Sequence, residues 1–416
     1  MILNKLFELM ADKNASDIFI TCGTPIHIKI QGRTVPINQQ VIDPPAIERM
    51  LNEILTPEQR TVFEREKEFN LSFGRQHLGN FRVNIFFQRN TPGLVIRYIQ
   101  SEIPTVDYLG LPSVLADIIM EKRGLVLVVG ATGSGKSTTL ASMIDHRNKN
   151  KAGHILTIED PIEYLFKHQK SVVNQREVGI DTHGWHEALR NAMRQAPDCI
   201  LIGEIRDRST MEAALSYAQT GHLCLSTLHA NNAYHALNRI VNFFPLENRS
   251  LLFLDLAASL RAIVSQRLVR RSDGKRRPAV EILLNSRHIS ELIENGDISA
   301  IKEAMEQSMA AGSQTFEQDL VRLYREGVIS FEEAMANADS PSNLSWLINN
   351  GYSGSSSPAP STPSPHTVFS PTQPPSPSSV IPTPSPDLAL TATNWGQDTS
   401  DNQASFEEFT LHVEDK

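Results

Sequence analysis

The residues best equipped for chemistry are Gly130-Ala131-Thr132-Gly133-Ser134-Gly135-Lys136-Ser137, followed by Thr138. Glycines at this spacing let backbone N–H groups turn inward on an anion, and a helix starting at the end of the loop adds partial positive charge. Lys136 is placed to reach β- and γ-phosphates and Ser137 to hold Mg2+. Three more polar clusters follow. Glu159-Asp160-Pro161-Ile162-Glu163 comes after an apolar run, where carboxylates can bind Mg2+ through water or orient an attacking water. Gly203-Glu204-Ile205-Arg206-Asp207 follows Asp198-Cys199-Ile200-Leu201-Ile202, an apolar strand and then an acid, here Glu after Gly where Asp is usual. Gly221-His222 and Thr227-Leu228-His229 flank residues 223–226. Those histidines read as γ-phosphate sensors or interface switches. They lack the further ligands a metal site needs.

The elements that must position these clusters are legible around them. Residues 125–129 form an apolar run that reads as a buried strand, and Leu140, Met143 and Ile144 fall at helical spacing within 138–148. Strand, glycine-rich loop and helix is the context a phosphate-binding loop requires. A short helix opens this region near Pro112. Strands are then expected at 125–129, 154–158, 199–202 and 223–226, alternating with helices that include 185–195, 209–219 and 233–243. That alternation predicts an α/β fold with a mainly parallel sheet, helices on both faces and ligands at the carboxyl ends of the strands. Beyond Ser250 the pattern reads as mainly helical.

Residues 1–100 read as a smaller α/β domain. Helices are expected at 2–12 and 44–55, and strands at 17–22, 27–30, 69–73, 81–88 and 94–99. In the 81–88 strand Phe81, Val83, Ile85 and Phe87 share one face, and Arg82 and Asn84 point the other way. Arg97 sits in the last strand among apolar neighbours. On the residues alone, Arg82 and Arg97 are either surface sheet residues or groups that reach a nucleotide. Residues 101–111, with Pro104 and Gly110, read as a linker, and 112–349 as the second domain. Residues 350–416 differ in kind. Eleven of the 24 prolines lie beyond Asn350, with repeated Ser-Pro and Thr-Pro. Such a stretch buries too little apolar surface to offset its ordering entropy, which predicts a disordered tail. Its end, Phe406-Glu407-Glu408-Phe409-Thr410-Leu411-His412-Val413, regains apolar character and reads as a docking peptide or a frayed terminus.

Composition narrows the class. The 416 residues suffice for two or three domains, and 40% hydrophobic with 21% charged is ordinary for a soluble globular chain. No run approaches the ~20 apolar residues of a membrane span, so no direct membrane insertion is expected. The N-terminus lacks a signal peptide's charged start and cleavage site. Cys22, Cys199 and Cys224 form no Cys-x-x-Cys pair, which points away from a zinc motif or disulfide framework and toward free thiols in the cytoplasm. Net charge is −8; seven acids against one lysine beyond Asn350 account for −6, leaving −2 on the first 350 residues. No basic footprint of a nucleic-acid motor is present, and no nucleic-acid partner is expected. The exception is Arg270-Arg271-Ser272-Asp273-Gly274-Lys275-Arg276-Arg277, a solvated hairpin tip or a basic docking patch between the apolar runs 263–269 and 279–284.

Together the four clusters resemble the secretion-superfamily ATPases, the hexameric motors of type II secretion and type IV pili, over about residues 1–345. Residues 130–137 resemble that family's Walker A motif, 155–163 its aspartate box, 199–207 its Walker B region and 221–229 its histidine box. Val173-Asn174-Gln175-Arg176-Glu177-Val178 is similar to a further recurrent stretch. The resemblance implies a PAS-like N-terminal domain followed by a RecA-like P-loop ATPase domain, with Arg82 and Arg97 at positions whose arginines reach the nucleotide near a domain or subunit boundary. A start at the PAS-like domain and the missing four-cysteine motif resemble the retraction branch, the PilT/PilU family. His288-Ile289-Ser290-Glu291-Leu292-Ile293-Glu294 stands where PilT-like members carry a basic Ala-Ile-Arg-Asn-Leu-Ile-Arg-like segment. With Leu228-His229-Ala230-Asn231-Asn232, Asn242-Phe243-Phe244-Pro245 and the Pro-rich tail, this is more similar to the PilU type.

The resemblance implies an ATP-hydrolysing subunit of a homohexamer for type IV pilus retraction and twitching motility, with ATP and Mg2+ as cofactors. It implies a cytoplasmic protein peripheral to the inner membrane at the pilus base, accessory to a PilT-like ATPase and coupled to an inner-membrane platform protein. Glu163 is expected to polarise water. Ser137, Glu159, Asp160 and Glu204 are expected to hold Mg2+, partly through water. Arg82 and Arg97 are expected to neutralise charge on the γ-phosphate, and His222 and His229 to relay nucleotide state. The alternative is a mainly structural ring that supports a PilT-like motor with little ATPase of its own. A nucleic-acid or assembly motor is disfavoured by the absent basic surface and zinc motif.

Overall fold

A computed structural model describes residues 2–350, apart from 14, 31, 76–77, 100–101 and 309. The Pro-rich stretch from Gly351 onward lies outside the described residues. Two sheets organise the rest. The first holds β1 (Asp17–Thr21), β2 (Pro25–Ile30), β3 (Arg33–Val41), β4 (Glu68–Arg75), β5 (Gly79–Gln88) and β6 (Thr91–Ile99), in the spatial order β3-β2-β1-β6-β5-β4. Every neighbouring pair in it is antiparallel. One face is apolar: Ile18, Ile20, Ile28, Phe81, Val83, Ile85, Leu94 and Ile96 bury against Phe7, Met10, Ile47 and Leu51 of the helices Ile2–Asp12 and Pro44–Ile54. The period-two face of β5 is therefore the buried one. β3 was not anticipated, because its residues are mostly polar and exposed, as befits an edge strand. The helix Pro57–Glu66 was also missed. It buries only Phe63, yet Thr56 and Gln59 close a reciprocal cap at its start.

The second sheet holds β7 (Gly124–Val129), β8 (Gly153–Glu159), β9 (Ser171–Glu177), β10 (Cys199–Ile202), β11 (Leu223–Leu228), β12 (Leu260–Arg270) and β13 (Arg276–Leu284), in the order β13-β12-β7-β11-β10-β8-β9. The pairs from β12 to β9 are parallel, and only the β12–β13 hairpin is antiparallel. Leu125, Leu127 and Val129 face one layer, with the helices Trp185–Ala192, Arg208–Gln219, Ala233–Asn242 and Arg249–Ser259. Val126 and Val128 face the other, with Val114–Met120 and Lys136–Asn150. β7, β10 and β11 are buried along their whole length, on both faces, which is why they read as continuous apolar runs. The region beyond Ser250 is not simply helical, since the long β12–β13 hairpin closes the sheet before the helices resume.

Register within β12 decides which of its side chains meet the glycine-rich loop. Leu260 pairs with Leu125 but Ala262 pairs with Val126, so Arg261 is one residue too many and a bulge forms there. Ser265 pairs with Val129, the last residue of β7. The next residue, Gln266, thus lies beside the glycine-rich loop. By alternation it shares the face of Ala262 and Val264, toward the helix Lys136–Asn150.

The opposite face of this hairpin carries a buried carboxyl. Glu281 accepts from Ala233 N at 2.7 Å and Ser265 Oγ at 3.0 Å, which caps the helix Ala233–Asn242. Burial pushes its pKa up to about 7, with Asp339 and Glu317 adding to the rise. A carboxyl raised in the folded state contributes most below its unfolded pKa, and that contribution is lost as pH rises through 7. Its loss amounts to about 3 kcal/mol. Glu281→Gln is expected to flatten part of the fall in urea midpoint between pH 5 and pH 8. Glu159, raised in the same window, retains the remainder.

Candidate active site

The carboxyl ends of the parallel strands open on a cleft of about 710 Å3, whose opposite wall is the first sheet. Asp17, Arg97 and Tyr98 line that wall. Thr132, Gly133, Gly135, Lys136, Ser137 and Thr138 form the floor, with Glu159, Asp160, Glu163, Glu204, His229 and Arg276 around it. Gly130, Ala131 and Ser134 complete the loop on its far side, lining an adjoining recess with Gln266.

The loop owes its path to backbone freedom. Gly130, Gly133 and Gly135 have φ of +156°, +78° and +91°, which favours glycine. The helix Lys136–Asn150 starts directly after Gly135 and has no side-chain cap, so its first N–H groups are available to an anion in the cleft. Lys136 Nζ donates to the carbonyl oxygens of Gly130 and Ala131, each at 2.9 Å. Burial pulls its pKa down, and Glu204 opposes the shift. Thr138 Oγ1 lies 2.9 Å from the Tyr164 hydroxyl.

The acidic groups have distinct environments. Glu159, the last residue of β8, is buried; it accepts from Thr157 Oγ1 at 2.7 Å and Gln175 Nε2 at 3.3 Å. Desolvation raises its pKa to about 7 despite those bonds. Glu163 is exposed to the cleft. Glu204 follows β10 and is held from two sides, by Arg206 Nε at 3.0 Å and His229 Nε2 at 3.3 Å. Arg206 Nη1 also reaches Asp160 Oδ2 at 3.3 Å. One chain of polar contacts thus joins three of the four polar clusters: Asp160, Arg206, Glu204 and His229. Arg206 was read in sequence only as part of a cluster, and its bridging role depends on the β8–β10 pairing.

The two arginines separate. Arg82 and Arg97 are direct cross-strand partners, and Arg97 also pairs in register with Asp17. Arg97 lines the cleft, with Nε donating to Asp17 Oδ1 at 2.9 Å. Arg82 does not line it; its guanidinium forms a largely buried ion pair with Glu177 at the end of β9. Glu177 also accepts from Ile162 N at 3.2 Å, so the pair ties the first sheet to the acidic loop at 159–163. Arg82→Ala strands a buried carboxylate and is expected to cost about 3 kcal/mol. Arg97 is half exposed, and its alanine variant is expected to cost about 1 kcal/mol or less. Urea denaturation of the two variants reads the contrast.

His222 is likewise not brought to the cleft. It precedes β11 whereas His229 follows it, and six residues of strand put about 20 Å between the two ends. Its Nδ1 lies 3.2 Å from Tyr217 O and 3.1 Å from Thr220 Oγ1, a local turn contact. Two histidines that bracket a strand must sit at its opposite ends, and only the one at the carboxyl end meets the site.

Sequence reasoning missed Asp17, Tyr164 and Gln266. An amide inside the apolar run 263–269 was the one visible signal, and only register could show that it meets the loop. No helix among the described residues is long and apolar enough to cross a membrane.

Comparison with known proteins agrees with this geometry. Residues 1–280 match the family described as "Type II/IV secretion system protein". The chain is 47% identical over 352 residues to the "Type IV pilus ATPase PilU" of Pseudomonas aeruginosa, spanning 84% of this chain and 92% of that protein. It is 39% identical over 344 residues to the "Type IV pilus retractation ATPase PilT" of the same organism, spanning 83% of this chain and all of that one. Among solved structures, that of the pilus retraction motor PilT with bound ADP superimposes with a TM-score of 0.77 at 39% identity, covering 82% of this chain and 98% of the other. Overlap of that extent, on a chain whose glycine-rich loop and acidic strand ends already meet in one cleft, makes it an ATPase of the type II/IV secretion system family, in the PilT/PilU branch.

Proposed function

We propose that this chain is a Mg2+-dependent, ATP-hydrolysing subunit of a type IV pilus retraction motor, of the PilU kind that assists a PilT-like ATPase. The observation that carries the reading is the shared cleft, in which Lys136, Glu163, Glu204 and Arg97 face one space from two different sheets. Lys136 and the loop N–H groups hold the phosphates. Glu163 accepts a proton from the attacking water, and Glu204 would help hold a Mg2+ ion, with His229 beside it to report on nucleotide state. Arg97, steadied by Asp17, approaches the γ-phosphate from the opposite wall. Arg82, occupied by Glu177, acts as a tie between domains rather than as a second finger.

The residues fit a magnesium ion. Ser137 and the carboxylates of Glu159, Asp160 and Glu204 offer hard oxygen donors around open space. Mg2+ takes few protein ligands and keeps phosphate oxygens and water, so one or two of these groups at a time would suffice to hold it. The ion would neutralise charge on the β- and γ-phosphates.

Assembly as a homohexamer, a place at the cytoplasmic face of the inner membrane, and contact with a platform protein complete the proposal, which extends the resemblance to the secretion-superfamily motors beyond the ATPase name of the 47% identical relative. The test is steady-state ATPase of the purified full chain, alone and with a PilT-like partner, together with pilus retraction by cells in which it is the sole retraction-type ATPase. Turnover of its own, with retraction only when the partner is present, is expected. An inert chain that still assists the partner would favour the structural ring.

A further inference from the structure

We infer that Gln266, outside the glycine-rich motif, is the positioning residue that sets the shape of the phosphate loop. Its side-chain amide bridges the loop to the helix after it. Nε2 donates to Ser134 O at 2.7 Å, and Oε1 accepts from Thr139 Oγ1 at 2.7 Å. Gln266 is buried, and burying an amide is costly unless it is bonded. Here the donor is spent on the middle of the loop and the acceptor on the first turn of the following helix. One rigid group therefore fixes the distance between them.

The glycines give an independent line of support. A Cβ on Gly130 would stand 2.5 Å from Gln266 O and also strike Ser134 Oγ, and one on Gly135 would stand 2.7 Å from Gln266 Nε2. Gly133, the remaining loop glycine, would meet nothing within 4 Å. Gly135 thus admits the Gln266 amide as well as turning the chain, and Gly130 admits the backbone of β12 beside it. The loop is moulded against β12 on one side, and its other side faces the cleft. Converging N–H groups lose their grip on a phosphate when misplaced by a fraction of an ångström. A residue that touches no nucleotide atom can therefore set affinity through the loop.

This inference rests on the reading that the loop holds the nucleotide's phosphates. In the full chain, Gln266→Met removes both hydrogen bonds at similar volume. The dissociation constant of a fluorescent ADP analogue and KM for ATP are expected to rise about tenfold, the scale of two neutral hydrogen bonds. kcat should change less than about twofold, and the melting temperature of the ligand-free chain by no more than a few degrees. Gln266→Glu keeps the acceptor for Thr139 but has no donor for Ser134 O, so its loss should equal or exceed that of Met. Should the Met and Glu variants fail to fold, Thr139→Val leaves β12 intact and should show the same pattern at about threefold. Unchanged affinity in a folded variant, or a loss of kcat with affinity kept, overturns the assignment. If Lys136→Ala also leaves affinity unchanged, the reading of the loop fails rather than that of Gln266.

Discussion

Lys136→Ala is expected to abolish ATP hydrolysis, with a fall in kcat on the order of 10³ or more. The side chain is buried at the base of the loop and, among the described residues, bonds to the Gly130 and Ala131 carbonyls. Its truncation removes a charge from the cleft and leaves the helix Lys136–Asn150 and its core contacts in place. Folding should therefore survive, and circular dichroism with an unchanged melting temperature would confirm it. A folded variant that still turns over ATP would take the phosphate loop out of the mechanism. The measurement is phosphate release at saturating ATP, where weakened binding alone cannot lower the rate.

Glu163→Gln is expected to show the second large effect, a loss of kcat of about 10² to 10⁴ with ATP binding retained, the range for a missing general base. The comparison with Glu204→Gln decides the role. Glu204 accepts from Arg206 and lies 3.3 Å from His229 Nε2, so its carboxylate is already engaged and its variant should disturb the Asp160–Arg206–Glu204–His229 chain. That predicts a loss of about tenfold, accompanied by altered coupling to His229. Glu163, exposed to the cleft, is the better placed to meet a water. If only the Glu204 variant fails, the two roles are exchanged.

The glycine-rich loop and the strand-end acids were legible in sequence because each is local. The glycine spacing, the preceding apolar run and the following helical pattern lie within about twenty residues. The parallel sheet was legible for the same reason, as alternation of short apolar runs with amphipathic segments. Long-range pairing was not. Arg82 and Arg97 look equivalent along the chain and are neighbours across it, yet β9 delivers Glu177 to one and leaves the other at the cleft. The first sheet's exposed edge strand β3 and the weakly apolar helix Pro57–Glu66 escaped because little in them is buried. Asp17 looked like an ordinary strand start. Only its register with Arg97 and its near-complete burial mark it as that arginine's anchor.

The bulge at Arg261 gives β12 something like a reading frame. The bulge absorbs Arg261, and the unbroken register from Ala262 to Ser265 decides that Gln266 faces the glycine-rich loop, while Arg267 turns the other way to the Asn231 carbonyl and Asp339. Losing Arg261 alone would leave that register intact, whereas losing a residue between 262 and 265 would shift the phase of every side chain downstream and offer a guanidinium where the loop is fitted to an amide. The length of this short stretch is therefore constrained by a site further along the same strand. A single-residue deletion within 262–265 should be far less tolerated than one at 261 or most substitutions of the exposed hairpin tip at 271–275.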